Sequence, residues 1–367
     1  MRYMANQTIS TKKILVVDDS ALMRRVLCDI INSDERFEVA DRAINGLDAL
    51  EHLKSKQYDA VVLDVLMPGM GGLELLRELR RLKISAKILM ASTYTGEGED
   101  VTMEALSLGA MDFIKKPGSV SGVLEDSFRE RMLNLLDVVA NGKLHPIETP
   151  VAVPSARPLG VASGRQSAPA VGDVAGEKVV AIATSTGGPR ALQSVVPYLP
   201  ANLDAPVLLV QHMPKGFTAS LAERLNSMSE IYVKEAQEGE VIRKGVVYLA
   251  MGGQHMNVQK AGQGKYVIHY TDEPPREGVK PSANYMYESL AGCDFKNIVC
   301  VVMTGMGADG TEGIRNLKKS KKISVIAQDQ ESSTVYGMPR SVVSAGLSDK
   351  EVPLKQIAQE IVRYIGG

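Results

Sequence analysis

Short apolar runs that alternate with amphipathic stretches recur along the 367-residue chain and leave few folds open. One series falls at 13–17, 37–40, 60–63, 87–90 and 111–114, and a second at 179–183, 207–210, 246–249, 298–303 and 323–327. Buried strands with helices between them predict a parallel sheet that is covered on both faces. We therefore predict an α/β protein with an N-terminal five-stranded doubly wound domain and a C-terminal doubly wound, mostly parallel-sheet domain.

The segment between the two series has a different composition. From about residue 143 to 177 it is rich in proline, alanine, glycine and serine, and it shows no sustained apolar periodicity. Such a composition is typical of a flexible linker that is extended at its prolines. We predict a first domain over residues 1–140, a linker over 141–177 and a second domain over 178–367.

Composition limits the classes of function. The formal net charge is -1, so no global basic field favours nucleic acid. The 3 cysteines show no metal-binding spacing, and so sparse a set is typical of a reducing compartment. The first residues lack a signal-peptide stretch, and no apolar run is long enough to span a membrane. We expect a soluble cytoplasmic protein with no nucleic-acid partner and no direct membrane insertion.

Three aspartates follow predicted strands of the first domain. Asp18 and Asp19 come after the first strand and Asp64 after the third. The carboxyl ends of parallel strands meet at one sheet edge, where repulsion between three carboxylates favours a cation such as Mg²⁺. One carboxylate could then attack phosphorus, while Ser92 and Lys116 supply a hydrogen bond and a positive charge to the phosphoryl group. The alternative is that these aspartates are solvated loop residues or helix caps.

Residues 13–139 resemble the receiver domains of two-component response regulators. The resemblance rests on Asp18-Asp19, on LDVLMPGMGGLELL around Asp64, on Ser92-Thr93 and on DFIKKP around Lys116. It implies that a histidine kinase phosphorylates Asp64 and that Asp18, Asp19 and Asp64 hold Mg²⁺. It also implies that Phe113 repacks on activation. Thr93 is the alternative to Ser92 as the hydroxyl partner.

The segment AIATSTGGPRAL follows a buried strand of the second domain and opens a helix. A serine at such a turn, Ser185, exposes its hydroxyl at the sheet edge, where free N–H groups of the helix can stabilise an oxyanion. Gly187 and Gly188 are expected to let a substrate approach closely. The alternative is that Ser185 or Thr186 only caps the helix.

A nucleophilic serine needs a base and a group that orients the base. His212 follows the strand at 207–210, and Asp309 follows the strand at 298–303, so both are expected at the same edge as Ser185. A catalytic triad is defined by geometry, so the chain order Ser, His, Asp is no objection. His255 is a second candidate base, for which we expect a structural role.

Two motifs suggest other functions. Residues 305–310 read G-x-G-x-x-G, with Asp329 after the next strand, as in a dinucleotide-binding oxidoreductase. Against this, the motif comes late, and Asp309 would put a carboxylate beside the pyrophosphate. A basic run at 315–322 suggests a DNA-binding response regulator, but cations at a helix C-terminus are expected for the helix alone.

The second domain is similar to the catalytic domain of chemotaxis-specific protein-glutamate methylesterases. The similarity rests on ATSTGGPRAL, VQHMPKGFT, GGQHM, KPSANYMYESL, VVMTGMGADG and AQDQESSTVYGMPR, and the receiver–linker–esterase order matches across nearly the whole chain. It implies Ser185 as nucleophile, His212 as base and Asp309 as orienting residue. Thr186 and the backbone near Met306 would bind the oxyanion.

This resemblance also implies a biological role. The enzyme would hydrolyse glutamyl methyl esters on methyl-accepting chemotaxis receptors, and would deamidate specific receptor glutamines, with no cofactor for the esterase reaction. A chemotaxis histidine kinase would phosphorylate Asp64 and so activate the enzyme. The linker would let the receiver dock over the active edge of the second domain until Asp64 is phosphorylated.

Overall fold

The computed structural model describes residues 11–93, 96–117, 126–144, 177–262 and 264–366, with side chains left undescribed at 93 and 96–100. The chain divides into two compact units, residues 1–144 and 145–367. Most of the predicted linker lies outside the described residues, so the domain boundaries stay predictions.

The first unit is built on a parallel sheet in the order β2-β1-β3-β4-β5. Its strands are β1 (Lys12–Val17), β2 (Phe37–Ala43), β3 (Ala60–Asp64), β4 (Ile88–Thr93) and β5 (Asp112–Lys116). Strand β3 is buried along its whole length, as expected for a sheet that helices cover on both faces. The expected five-stranded doubly wound fold is confirmed.

Five helices within the described residues connect or follow these strands. They are α1 (Ala21–Asn32), α2 (Gly46–Ser55), α3 (Gly72–Arg81), α4 (Gly96–Leu108) and α5 (Asp126–Asn141). Local hydrogen bonds set two of the starts. The Ser20 side chain accepts a bond from the Met23 amide, and the Asn45 side chain accepts one from the Asp48 amide. Helix α1 packs its apolar face on β1, and α5 packs on β3, β4 and β5, with Leu27, Met132 and Leu136 buried.

The second unit holds a seven-stranded parallel sheet and a separate antiparallel hairpin. The strands are β6 (Lys178–Thr184), β7 (Val207–Gln211), β8 (Tyr232–Glu235), β9 (Val246–Leu249), β10 (His255–Gly262), β11 (Lys265–Thr271), β12 (Asn297–Val302), β13 (Ile323–Gln328) and β14 (Lys350–Val352). The sheet order is β14-β13-β12-β6-β7-β9-β8, and β10 pairs with β11. Strands β12, β6 and β7 are therefore neighbours at its centre.

Helices flank this sheet. They are α6 (Gly188–Gln193), α7 (Phe217–Met228), α8 (Ala283–Ser289), α9 (Thr311–Lys318), α10 (Met338–Ser344) and α11 (Ile357–Ile365). The core between hairpin, α8 and sheet contains three buried tyrosines, Tyr248, Tyr266 and Tyr287. Each tyrosine hydroxyl makes a hydrogen bond, which removes the penalty of burying it.

The predicted strands are all present, but the sequence did not reveal every element. Strand β14 has three residues and lies at a sheet edge, and β8 is only partly buried, so neither carries a strong apolar signal. A 3₁₀ turn, Leu354–Gln356, precedes the last helix, α11. No helix of the described ranges is both long and apolar enough to cross a membrane.

Candidate functional site

The predicted acidic cluster forms at the carboxyl edge of the first sheet. Asp18 follows β1 and Asp64 ends β3, its neighbour, so one carboxylate oxygen each of Asp18, Asp19 and Asp64 lie within 4.8 Å of one another. Nζ of Lys116 lies 2.9 Å from Oδ2 of Asp18 and 2.7 Å from Oδ2 of Asp64. Asp18, Asp64 and Lys116 are buried, whereas Asp19 is exposed. The site thus opens to solvent on the Asp19 side.

Among the described residues, Lys116 is the cation that pairs with the carboxylates of this cluster. Burial raises the pKa of the Asp64 carboxyl, and Asp18 adds to the rise, while Lys116 acts to lower it. Three carboxylates face a single lysine, and carboxylate oxygens are the ligands that hard divalent cations prefer. The donor set therefore fits a cation of this kind. The helix-cap alternative fails, because Ser20 caps α1.

Ser92 and Phe113 lie on the strands where the sequence predicted them, Ser92 on β4 beside β3 and Phe113 on the next strand, β5. Ser92 is buried on β4, opposite Lys115 of β5. Phe113 is buried on β5, opposite Met90. The side chain of Thr93, the alternative hydroxyl partner, lies outside the described residues.

The Ser185 turn joins β6 to α6 at the centre of the second sheet. The Ser185 amide donates to the carbonyl oxygen of Thr304, 3.0 Å away, and the Ser185 carbonyl oxygen accepts from the Gly188 amide at 2.7 Å. The N-cap of α6 is Gly187, whose φ is 77° and which makes no side-chain capping bond. The alternative that Ser185 or Thr186 only caps the helix is therefore wrong.

The expected role of the two glycines in this turn is also wrong. A Cβ on Gly187 would lie 2.6 Å from Cβ of Thr334, and a Cβ on Gly188 would lie 2.0 Å from Oε1 of Gln211. The space beside both glycines is thus filled by the chain itself and not left for a substrate. Glycine is required because Thr334 and Gln211 pack directly against the turn.

His212 and Asp309 meet at the same edge, after the strands on either side of β6. Nε2 of His212 lies 2.7 Å from Oδ2 of Asp309, and both side chains are almost fully buried. Nδ1 of His212 is buried and has no hydrogen-bond partner among the described residues. Since Asp309 uses Nε2, Nδ1 is the nitrogen that remains for a proton from a nucleophile.

The Asp309 carboxylate receives more bonds than the sequence suggested. Besides His212, its oxygens accept from the Ser282 hydroxyl at 2.7 Å, the Ala283 amide at 2.6 Å and the Asn284 amide at 3.1 Å. Burial acts to raise the pKa of Asp309, but His212, Ser282 and Ala283 outweigh it and hold this pKa below its usual value. The carboxylate therefore stays charged beside the imidazole.

Ser282 is a site residue that the sequence did not reveal. It lies 27 positions before Asp309 and reaches it only because the start of α8 packs against the loop that precedes α9. The Asn284 side chain fixes this loop, since its Oδ1 accepts from the Gly310 and Gly313 amides. A single serine in KPSANYMYESL carries no signal of such a contact.

His255 has the structural role that we expected. Its Nδ1 accepts from the Ser282 amide at 3.1 Å, so Nε2 carries the proton and faces the carbonyl oxygen of Pro274 at 3.2 Å. Burial lowers the pKa of His255, which favours this neutral form. Both ring nitrogens are occupied, so His255 has none left for Ser185.

The predicted oxyanion residues flank Ser185. The Thr186 carbonyl oxygen accepts from the Thr304 hydroxyl at 3.0 Å, and Thr186 is buried. Met306 is 44% exposed and lies in the loop after β12. A Cβ on Gly305 would lie only 2.7 Å from Cβ of Ser185, which shows how closely this loop approaches the serine.

The groups that suggested other functions are engaged within the unit. Both the amide and the hydroxyl of Ser332 donate to Oδ1 of Asp329, which places this aspartate in a local turn instead of at a ribose site. Lysines of the basic run donate hydrogen bonds within the unit. Lys318 donates to the Leu347 carbonyl oxygen and Lys321 to the Cys293 carbonyl oxygen. These contacts favour neither a dinucleotide site nor a DNA-binding surface.

A receiver-type sheet followed by a second parallel sheet with a His–Asp pair defines a class of protein, the response regulators with an enzymatic second unit. Comparisons with known proteins agree. The response regulator receiver domain model matches residues 14–126, and the CheB methylesterase model matches residues 180–361.

Full-length relatives specify the family. The protein-glutamate methylesterase/protein-glutamine glutaminase of Geobacillus kaustophilus is 42% identical over 366 residues, which cover 98% of this chain and 100% of the relative. The protein of the same name from Bacillus licheniformis is 43% identical over 359 residues, which cover 96% and 98%. The crystal structure of the Thermotoga maritima CheB methylesterase catalytic domain is 40% identical and covers 52% of this chain and 99% of that chain, with a TM-score of 0.49.

The chain belongs to the protein-glutamate methylesterase/protein-glutamine glutaminase family. The resemblance found in the sequence is thereby confirmed, and so is its class, a hydrolase that is also a response regulator.

Proposed function

We propose that the protein hydrolyses glutamyl methyl esters on methyl-accepting chemotaxis receptors, with Ser185 as nucleophile, His212 as base and Asp309 as orienting residue. The observation that carries the proposal is the 2.7 Å contact between His212 and Asp309 beside the Ser185 turn. Asp309, Ser185 and His212 follow three adjacent strands, β12, β6 and β7. A nucleophile, a base and an orienting carboxylate at one sheet edge fit acyl transfer best.

The reaction proceeds in two halves. The Ser185 hydroxyl attacks the side-chain carbonyl carbon of the glutamyl ester, and Nδ1 of His212 takes the hydroxyl proton. Collapse of the tetrahedral intermediate breaks the bond to the methoxy group, which leaves as methanol with that proton. Water then attacks the acyl-serine ester and gives a proton to Nδ1. The bond between the acyl carbon and Oγ breaks, Nδ1 returns the proton to Oγ, and the free glutamate and Ser185 result.

The charges that develop in this reaction have partners in the site. Asp309 stabilises the imidazolium form of His212 through Nε2. The backbone amides of Thr186 and Met306 donate hydrogen bonds to the oxyanion. The close approach between the Ser185 turn and the loop after β12 favours this role. No cofactor is needed for this hydrolysis.

The same residues deamidate a receptor glutamine. The attacked carbonyl is then an amide, and His212 protonates departing ammonia in place of methanol. The acyl-enzyme intermediate is identical, so both reactions end in glutamate.

Phosphorylation of Asp64 by a chemotaxis histidine kinase activates the enzyme. Mg²⁺ held by Asp18, Asp19 and Asp64 would offset the negative charge of the incoming phosphoryl group. Lys116 already lies 2.7 Å from Asp64 and supplies a further positive charge. Ser92 and Phe113, on β4 and β5, are the receiver residues that respond. We place this signalling in the cytoplasm, without nucleic acid as a partner.

The test is release of methanol from membranes whose receptors carry radiolabelled methyl esters. The full chain should release labelled methanol, and a small phosphodonor with Mg²⁺ should raise the rate. Membranes whose receptors have glutamine or alanine at the methylated positions serve as the control. Absence of methanol release, with and without the phosphodonor, would overturn the proposal.

A further inference from the structure

Gln211, the last residue of β7, lies directly between the nucleophile and the base. Its side chain is buried and its Oε1 accepts from the Thr184 hydroxyl at 2.6 Å. Its Nε2 lies 3.0 Å from the carbonyl oxygen of Ser185 and 3.2 Å from that of His212. The two N–H groups of one amide thus bind the peptide of the nucleophile and the peptide of the base.

The surroundings allow only this orientation of the amide. Rotation by 180° would place Oε1 against the carbonyl oxygens of Ser185 and His212 and would remove one donor from each. After this rotation the Thr184 hydroxyl would face Nε2, a donor, instead of the acceptor Oε1. The assignment of the donor and acceptor ends therefore follows from the contacts themselves.

The turn is shaped around this side chain. A Cβ on Gly188 would lie 2.0 Å from Oε1 of Gln211, so the helix after Ser185 can start here only with glycine at that position. On the opposite side, the Ser185 amide donates to Thr304. The backbone of Ser185 is thus held by the loop after β12 through its N–H group and by the last residue of β7 through its carbonyl group.

We propose that Gln211 is a positioning residue for the hydrolysis: it couples the Ser185 turn to His212 so that the serine hydroxyl can come within hydrogen-bond reach of Nδ1. The inference rests on the proposed function and assigns Gln211 no contact with substrate. Proton transfer requires hydrogen-bond distance between hydroxyl and base, and a shift of about 1 Å lowers a rate by about 10²-fold.

Gln211→Glu tests this with little change of shape. The carboxylate keeps an acceptor for Thr184, but it loses both N–H groups and sets an oxygen against two carbonyl oxygens. We expect kcat for methanol release to fall about 10²-fold with KM changed less than about threefold. Gln211→Met, which is apolar and of similar length, should also lower kcat. This second variant keeps the test valid if Gln211→Glu does not fold.

The matched control is Ser229→Ala. It also removes one buried hydrogen bond in the same unit, from the Ser229 hydroxyl to the Leu225 carbonyl oxygen at the end of α7. This bond has no contact with the Ser185 turn, so kcat should stay within about twofold of the parent although the melting temperature falls.

A second readout separates positioning from folding. A fluorophosphonate reacts with an activated serine and requires no receptor, so its rate of labelling at Ser185 reports how well His212 activates the hydroxyl. Both Gln211 variants should label about 10²-fold more slowly than Ser229→Ala at equal folded fraction. Heat-capacity scans of each full-length variant give that fraction.

The inference is overturned if the Gln211 variants match Ser229→Ala in kcat and in labelling rate. It is also overturned if cooling restores the folded fraction and, with it, kcat and the labelling rate. Failure of both variants to fold would also overturn it, because Gln211 would then serve the fold and not the turn. Ser185→Ala in the same assays separates the two levels: methanol release by that variant would sink the proposed function itself.

Discussion

Oδ2 of Asp309 lies 2.7 Å from Nε2 of His212, so in the proposed mechanism Nδ1 is the nitrogen that accepts the proton of Ser185. In the familiar serine-protease arrangement the aspartate binds Nδ1 and the serine meets Nε2. The proposed mechanism uses the two imidazole nitrogens the other way round. Because Asp309 is held by three further donors, it fixes both the tautomer and the orientation of the ring.

Asp309→Asn should lower kcat for methanol release by about 10²- to 10⁴-fold, since the amide cannot stabilise the imidazolium and selects the wrong tautomer. Receptor binding should change little. The comparison is Asp272→Asn, which neutralises an exposed aspartate paired with Lys280 and should retain full activity. Equal rates for the two variants would show that Asp309 does not orient the base.

The shape of the fold could be predicted from the sequence because buried parallel strands read as continuous apolar runs, as in 60–63 and 298–303. Asp18, Asp64, His212 and Asp309 were predictable for a related reason. Each follows such a run, and parallel strands end at one edge.

Ser282, Gln211 and Thr304 could not be predicted, because their roles depend on contacts between segments far apart in sequence. The Thr304 hydroxyl reaches the Thr186 carbonyl oxygen 118 positions away. The glycines of the Ser185 turn were misread for the same reason, since Gln211 and Thr334 are the neighbours that require them.

Stability of the second unit should depend on pH in acid through Asp309. Its pKa in the folded protein lies below the unfolded value, so ionised Asp309 stabilises the fold above the unfolded pKa. This contribution is lost as pH falls through the folded pKa. Between pH 6 and pH 3, the melting temperature of the second unit should therefore fall less in Asp309→Asn than in the parent. A parallel fall in both would contradict the assignment.

Asp64→Asn should abolish stimulation by a phosphodonor while basal methanol release remains. The variant removes the acceptor oxygen that Lys116 faces at 2.7 Å. Asp59→Asn is the matched control, because Asp59 precedes the opposite end of β3 and pairs with Lys12. It should be phosphorylated and stimulated normally. Stimulation that survives in Asp64→Asn would place the acceptor elsewhere.

Gly305→Ala should impair the nucleophile. Its Cβ would lie 2.3 Å from Sδ of Met338 and 2.7 Å from Cβ of Ser185, so either the loop or the serine must move. We expect kcat to fall by about tenfold or more. Gly292→Ala meets no atom within 4 Å and should leave activity and stability nearly unchanged. A fully active Gly305→Ala would show that the site tolerates this displacement.

The most direct test of the account is Ser185→Ala in the full chain, assayed on the same preparation for methanol release and for phosphorylation at Asp64. We predict that methanol release disappears while phosphorylation of Asp64 by a small phosphodonor continues at the parent rate. Methanol release at the parent rate would contradict the account, because the hydrolysis would then not depend on the serine at the end of β6.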